Sequence, residues 1–192
     1  FGASTPSPQA RQLADWVAGS RDHQDQAFFV VDKVGATLYA FDGDARLQAS
    51  SPVLLGLAHG DDSVPGIGTR AMAQILPAER TTPAGRFVAE GGRNHKGEDI
   101  VWVDHEAAVS MHRVRTANPL EQRADRLATP TVDDNRISFG CINVPVDFYN
   151  QQVQALFKTR RTAIVYVLPE TRSLQAQFGM AVLTAGTATR AR

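Results

Sequence analysis

Cysteine is almost missing from this sequence: there is one, Cys141, in 192 residues. A single thiol excludes an internal disulfide and is itself a candidate for reactivity. An excess of either charge is missing too. Twenty Lys and Arg balance twenty Asp and Glu, for a formal net charge of zero. The sequence therefore lacks the basic excess with which nucleic-acid-binding domains meet phosphate. Its longest basic cluster, Lys158 to Arg161, reads as the solvated end of a helix. No apolar run approaches the roughly 20 residues needed to cross a bilayer. There is no internal repeat.

Metal and nucleotide signatures are also weak. His95, Asp99, Asp104, His105, Glu106 and His112 have ligand chemistry without His-Glu-x-x-His or paired-Cys spacing. The segment Gly66-Ile67-Gly68-Thr69-Arg70-Ala71 loosely matches a dinucleotide fingerprint, but it follows a loop and has no βαβ unit around it, so it reads as a turn. Neither a metal nor a cofactor is expected.

At 43% hydrophobic residues the chain has ordinary core-forming material. Ser7-Pro8 ahead of Leu13, Trp16 and Val17 predicts a short capped helix. Residues 27–32, 36–41 and 47–57 are rich in β-branched and aromatic residues and are separated by Gly- and Asp-containing turns, which predicts strands joined by hairpins. A loop over 58–70, a weak helix or strand at 71–76 and a turn at 81–85 follow. Further strands are predicted from Arg86, at 100–103, at 108–114 and at 162–168. Val146, Tyr149, Val153, Leu156 and Phe157 recur at helical spacing after Pro145, so a helix is predicted directly after Cys141. Many short strands with few helices predict a mainly β sandwich or barrel. The expected division is an N-terminal helix and linker (1–26), one domain (27–169) and a tail (170–192) with a helix near 174–178. The polar segment 115–136 is longer than an ordinary connection and reads as a functional lid or a mobile segment.

The informative segment is Ser138-Phe139-Gly140-Cys141-Ile142-Asn143. A cysteine acyl-transferase needs a thiolate, a base to form it, and donors for an oxyanion. A predicted helix start after Cys141 would favour the anion, and Gly140 permits a sharp backbone turn. Of the five histidines, His112 lies in a strand pattern that puts Ser110, His112 and Val114 on one face. His23, His59, His95 and His105 fall in loops or turn edges, where solvent exposure is expected.

This segment resembles the signature of the L,D-transpeptidase (YkuD-like) family: a His, a long gap, then Ser/Thr-x-Gly-Cys with an aliphatic residue and Asn or Arg. The hairpin 32–41, the element Thr82-Pro83-Ala84-Gly85-Arg86-Phe87 and the closing strand before Pro169 resemble it as well. The resemblance implies a mainly β catalytic domain that needs no cofactor, with Cys141 as acylated nucleophile and His112 as its base. Ser138 and Gly140 would shape the loop and the oxyanion site. It also implies attack on the bond after the third residue of a peptidoglycan tetrapeptide stem, loss of the terminal D-alanine, and resolution of the thioester by an amine acceptor. Phe139, where many members have His, and Arg113, where many have Gly, depart from the pattern. They are candidate substrate-binding residues, as are Arg136 and Asn143, which read equally as braces of the loop. Charges on the 115–136 segment (Arg115, Glu121, Arg123, Asp125, Arg126, Asp133, Asp134, Arg136) are candidates for recognising the charged ends of the stem. A carboxypeptidase acting on the same peptides and a silent peptidoglycan-binding module are the alternatives. A periplasmic or cell-envelope location, an export signal ahead of Phe1 and a monomeric state are expected.

Overall fold

A computed structural model describes residues 1 and 5–180. Its strands are β1 (Phe28–Asp32), β2 (Thr37–Phe41), β3 (Leu47–Pro52), β4 (Leu55–Gly56), β5 (Gly85–Arg93), β6 (Asp99–Asp104), β7 (Val109–Arg113), β8 (Arg136–Ser138), β9 (Ile142–Val144) and β10 (Thr162–Val167). Eight of them form one sheet in the order β3-β2-β1-β10-β5-β6-β7-β9, and β4 pairs with β8. Within the large sheet β1–β10 and β7–β9 are parallel, and the other neighbours are antiparallel.

The two edges of this sheet are joined by the chain leaving β3. Leu54 exchanges both backbone hydrogen bonds with Asn143 on β9, at 2.9 and 2.8 Å, so the sheet is nearly closed. Closure removes edges that would otherwise present unpaired backbone groups.

β1 is buried at all five positions because both of its faces are covered. Phe29 and Val31 join Leu38, Val101, Val165 and Val167 in the core on the inward face. Phe28 and Val30 pack with Tyr39, Phe41, Ile164 and Tyr166 on the outward face, under helix α1 (Pro8–Ser20). Ala10, Leu13 and Val17 of α1 are fully buried there, each large side chain contributing about 1.5–3 kcal/mol. Ser7 caps this helix, its Oγ accepting from the Ala10 N–H at 3.1 Å. A helix over 146–159 lays Tyr149, Val153, Leu156 and Phe157 against the inward core, with a π-helical middle, Tyr149–Gln154.

The mainly β, barrel-like expectation agrees with this architecture, and several details differ. The helix does not follow Cys141 directly. Ile142–Val144 forms β9 and the helix begins at Val146, so the thiol precedes a strand and not a positive helix end. The run 47–57 breaks at Pro52 into β3 and β4. The ambiguous 71–76 segment is a 3-10 turn, Met72–Gln74. The polar 115–136 segment holds two 3-10 turns and helix α2 (Arg123–Ala128). Glu170–Met180, read as tail, is built into the fold through Glu170, Leu174 and Met180; residues 181–192 lie outside the described residues. His23, expected in solvent, is only 2% exposed. Its Nε2 pairs with the Gly43 carbonyl and its ring packs on Phe28.

Candidate active site

Strand alternation decides which side chains reach the site. On β7, Val109 and Met111 face the inward core, so Ser110 and His112 project from the opposite face. There they line a cleft of about 340 Å³ together with Cys141, Ser138, Phe139 and Asn143. A larger cavity, about 480 Å³, lies between β5, β6 and the end of helix 146–159 and holds neither Cys141 nor His112. Volume alone does not locate the chemistry; the thiol and imidazole do.

Cys141 is half-buried and its sulfur rests against the start of β7. The Ser110 N–H donates to Sγ at 3.5 Å, Ser110 Oγ lies 3.6 Å away, and the thiol is 3.8 Å from the Ala108 carbonyl. Alternation puts Ser110 on the face of His112 without assigning it a role; its contact with the thiol comes from the parallel β7–β9 pairing.

His112 is 9% exposed. Its Nδ1 donates to the Arg113 carbonyl at 2.8 Å, which leaves Nε2 as the basic nitrogen. Burial pushes its pKa below the usual imidazole range. The Arg113 carbonyl opposes that shift, while Arg115 and Arg123 reinforce it. The imidazole is therefore neutral at neutral pH, the form a general base requires.

The loop carrying Cys141 is braced from within. Ser138 Oγ donates to the Cys141 carbonyl at 2.6 Å and accepts from the Gly140 N–H at 3.1 Å. Asn143, fully buried, donates from Nδ2 to the Cys141 carbonyl at 3.1 Å, and its Oδ1 accepts from Arg123 at 2.6 Å. Gly140 has φ +126°, and a Cβ there would lie 2.8 Å from the Thr81 carbonyl oxygen. From outside, Thr82 Oγ1 donates to the Gly140 carbonyl at 2.8 Å and accepts from the Gly56 N–H at 2.9 Å. The sequence shows Thr82 only as part of a motif; its neighbours Thr81 and Pro83 are also buried.

The other candidates divide. Phe139 lines the cleft and carries the Arg80 guanidinium 3.9 Å over its ring. Arg115, Glu121 and Arg123 bring the 115–136 segment into the cleft wall. Arg136 and Arg113 lie outside the cleft. Arg136 is buried, bonded to Glu170 at 2.6 Å and to the Lys33 carbonyl at 2.8 Å. Arg113 pairs with Asp99 at 2.8 Å and sits over Tyr149. Both are held by partners within the fold, and Arg113 also lines a smaller neighbouring cavity with His112 and Arg115. Among the described residues no three His, Cys, Asp or Glu side chains are grouped to hold a metal ion.

No family model and no curated protein matches the chain. Its structural neighbours are L,D-transpeptidases. The chain is similar to Mycobacterium tuberculosis L,D-transpeptidase 1, at 16% identity and TM-score 0.42, over 74% of this chain and 61% of that one. An Enterococcus faecium L,D-transpeptidase mutant aligns at 14% identity and TM-score 0.40, over 74% of this chain and 50% of that one. The helical cell shape determining protein Pgp2 of Campylobacter jejuni aligns at 13% identity and TM-score 0.48, over 88% and 58%. The chain thus spans 50–61% of the length of these three. These are loose likenesses, and the roles of the site residues rest on their own geometry.

Proposed function

We propose that the protein is a cysteine-dependent L,D-transpeptidase acting on peptidoglycan stem peptides. The observation that carries this reading is the convergence, in one cleft, of the chain's sole thiol with a buried imidazole whose Nδ1 is bonded to the Arg113 carbonyl. His112 Nε2 takes the thiol proton, and Cys141 Sγ attacks the carbonyl carbon of the third stem residue. The Gly140 N–H is already given to Ser138 Oγ, so the Cys141 N–H is the donor assigned to the oxyanion. Collapse of the tetrahedral intermediate breaks the C–N bond, and the departing D-alanine amine receives the proton from His112. An incoming amine then attacks the thioester carbonyl, gives its proton to His112, and the thiol is regenerated. Since its substrate lies outside the cytoplasm, the protein is assigned to the cell envelope.

The test is incubation with a tetrapeptide muropeptide and a labelled D-amino acid, reading intact-protein and product masses, with Cys141→Ala as control. The expected result is a thioester adduct or exchanged product that disappears in the control. Product shortened by one residue with no exchange would assign hydrolysis instead. Unchanged substrate and protein would overturn the acyl-transfer reading.

A further inference from the structure

We propose that the cleft also holds the sugar ring to which the stem peptide is attached, on a platform formed by Trp102. This rests on the stem-peptide reading above and deepens it. Trp102 is half-buried and lines the same cleft as Cys141. It pairs in register with Ser110 across β6–β7, and Ser110 in turn touches the Cys141 sulfur. Trp102, Ser110 and Cys141 therefore form a row across three neighbouring backbones. Two strand spacings put the tryptophan about 10 Å from the cysteine.

That span matches the substrate. Three stem residues separate the sugar from the bond under attack, and an extended chain covers about 10 Å in three residues. A peptide running across the strands from Cys141 thus delivers its sugar to Trp102. The position is built for an indole. Gly92, on the neighbouring β5, has no side chain, and a Cβ there would lie 2.9 Å from the Trp102 ring. His105 stacks on the indole at 5.4 Å between centroids. Among the described residues, neither the Trp102 N–H nor the exposed His95, which shares the cleft, has a hydrogen-bond partner. An apolar ring face with unused donors at its edge suits a pyranose, which offers a face of C–H groups and a rim of hydroxyl and amide oxygens.

The experiment uses the Cys141→Ala protein labelled with ¹⁵N, which has two indole signals, from Trp16 and Trp102. It is titrated separately with a disaccharide-tetrapeptide and with the same tetrapeptide free of sugar. We expect the disaccharide form to bind about fivefold or more tightly than the free peptide and to move the Trp102 signal while Trp16 stays still. In the active protein, Trp102→Ala should bring the ratio of kcat/KM for the two donors close to one, and Trp102→Phe should keep most of the preference. Equal affinities with an unmoved Trp102 signal, while the free tetrapeptide binds, would overturn the platform and leave the transpeptidase reading standing. Failure of both ligands to bind would overturn the stem-peptide reading and the platform with it.

Discussion

At the scale of single residues, the chemistry depends on one nitrogen being unprotonated. Burial, the largest influence on His112, lowers its pKa from the ordinary 6.5, with Arg115 and Arg123 adding to the shift. A general base acts in its deprotonated form, so the rate of acylation should rise with pH along a limb whose midpoint lies below 6.5, then stay level through neutrality. Single-turnover acylation followed by mass from pH 4 to 8 checks this; a midpoint above 6.5 would contradict a buried neutral imidazole. Replacing His112 by Gln should slow acylation by about 100-fold or more while leaving substrate binding within a few-fold. Thr82 acts one step further out. Thr82→Val removes the hydroxyl that holds the Gly140 carbonyl and the Gly56 N–H, leaving two buried backbone groups unpaired at about 1–3 kcal/mol each. Both the melting temperature and the acylation rate should fall, the rate being measured at a temperature where the variant is folded.

Elements, more than residues, explain what was legible in the sequence. Alternation along β7 gave the face of His112 and Ser110, because a strand of period two packed on one side has little freedom. The cysteine loop was legible through its flanks, Ser138-x-Gly140 before Cys141 and Ile142-Asn143 after it, which resemble a family signature. The strand β9 was not. Three residues, Ile142–Val144, are too few to show a period, and the strong helical pattern after Pro145 absorbed them. The misplaced helix matters for mechanism: the sulfur faces the Ser110 N–H of the neighbouring strand and not the start of a helix. The loop's rigidity is equally a property of packing between elements. Gly140→Ala places a Cβ 2.8 Å from the Thr81 carbonyl at a φ of +126°, a conformation that side-chain-bearing residues rarely adopt. The expected result is a folded protein with normal circular dichroism and acylation lowered by more than tenfold. Unaltered acylation would mean that the loop relaxes freely and is not held by the 81–83 segment.

Across the whole molecule, the least legible feature is a buried cluster of four charges. Lys33 Nζ donates to Asp61 at 2.9 Å and to the Thr82 carbonyl at 3.1 Å and lies 3.6 Å from Glu170, while Arg136 bonds Glu170. Their side chains are 0–6% exposed. No pattern announces them, because the partners come from the β1–β2 turn, a loop, β8 and the segment after β10. For that reason Arg136 reads from the sequence as either a loop brace or a substrate residue, without a sign of its bond to Glu170. The cluster connects distant segments to the site: Lys33 holds Thr82, and Arg136 begins the strand that leads into Ser138. Breaking it should be costly. Lys33→Met leaves Asp61 without its buried cation, while Glu170 keeps Arg136, and such a loss costs about 3–5 kcal/mol, a fall of about 10 °C in melting temperature for a chain of this size. The pH dependence has a definite sign. Burial raises the pKa of Asp61, but bonds from Thr171, the Glu170 and Thr171 backbone and Lys33 outweigh it and hold the carboxyl far below its ordinary value. Burial likewise raises Glu170, and the Gly60 N–H and Arg136 overcome it. With folded pKa values below the unfolded ones, both groups stabilise the fold above about pH 4.5, and that stability drains away as acid protonates the unfolded chain first. Asp61→Asn should lower the melting temperature at pH 7 and flatten its decline between about pH 5 and pH 3. Melting curves for the two proteins that run parallel over this range would show that the acid sensitivity arises elsewhere.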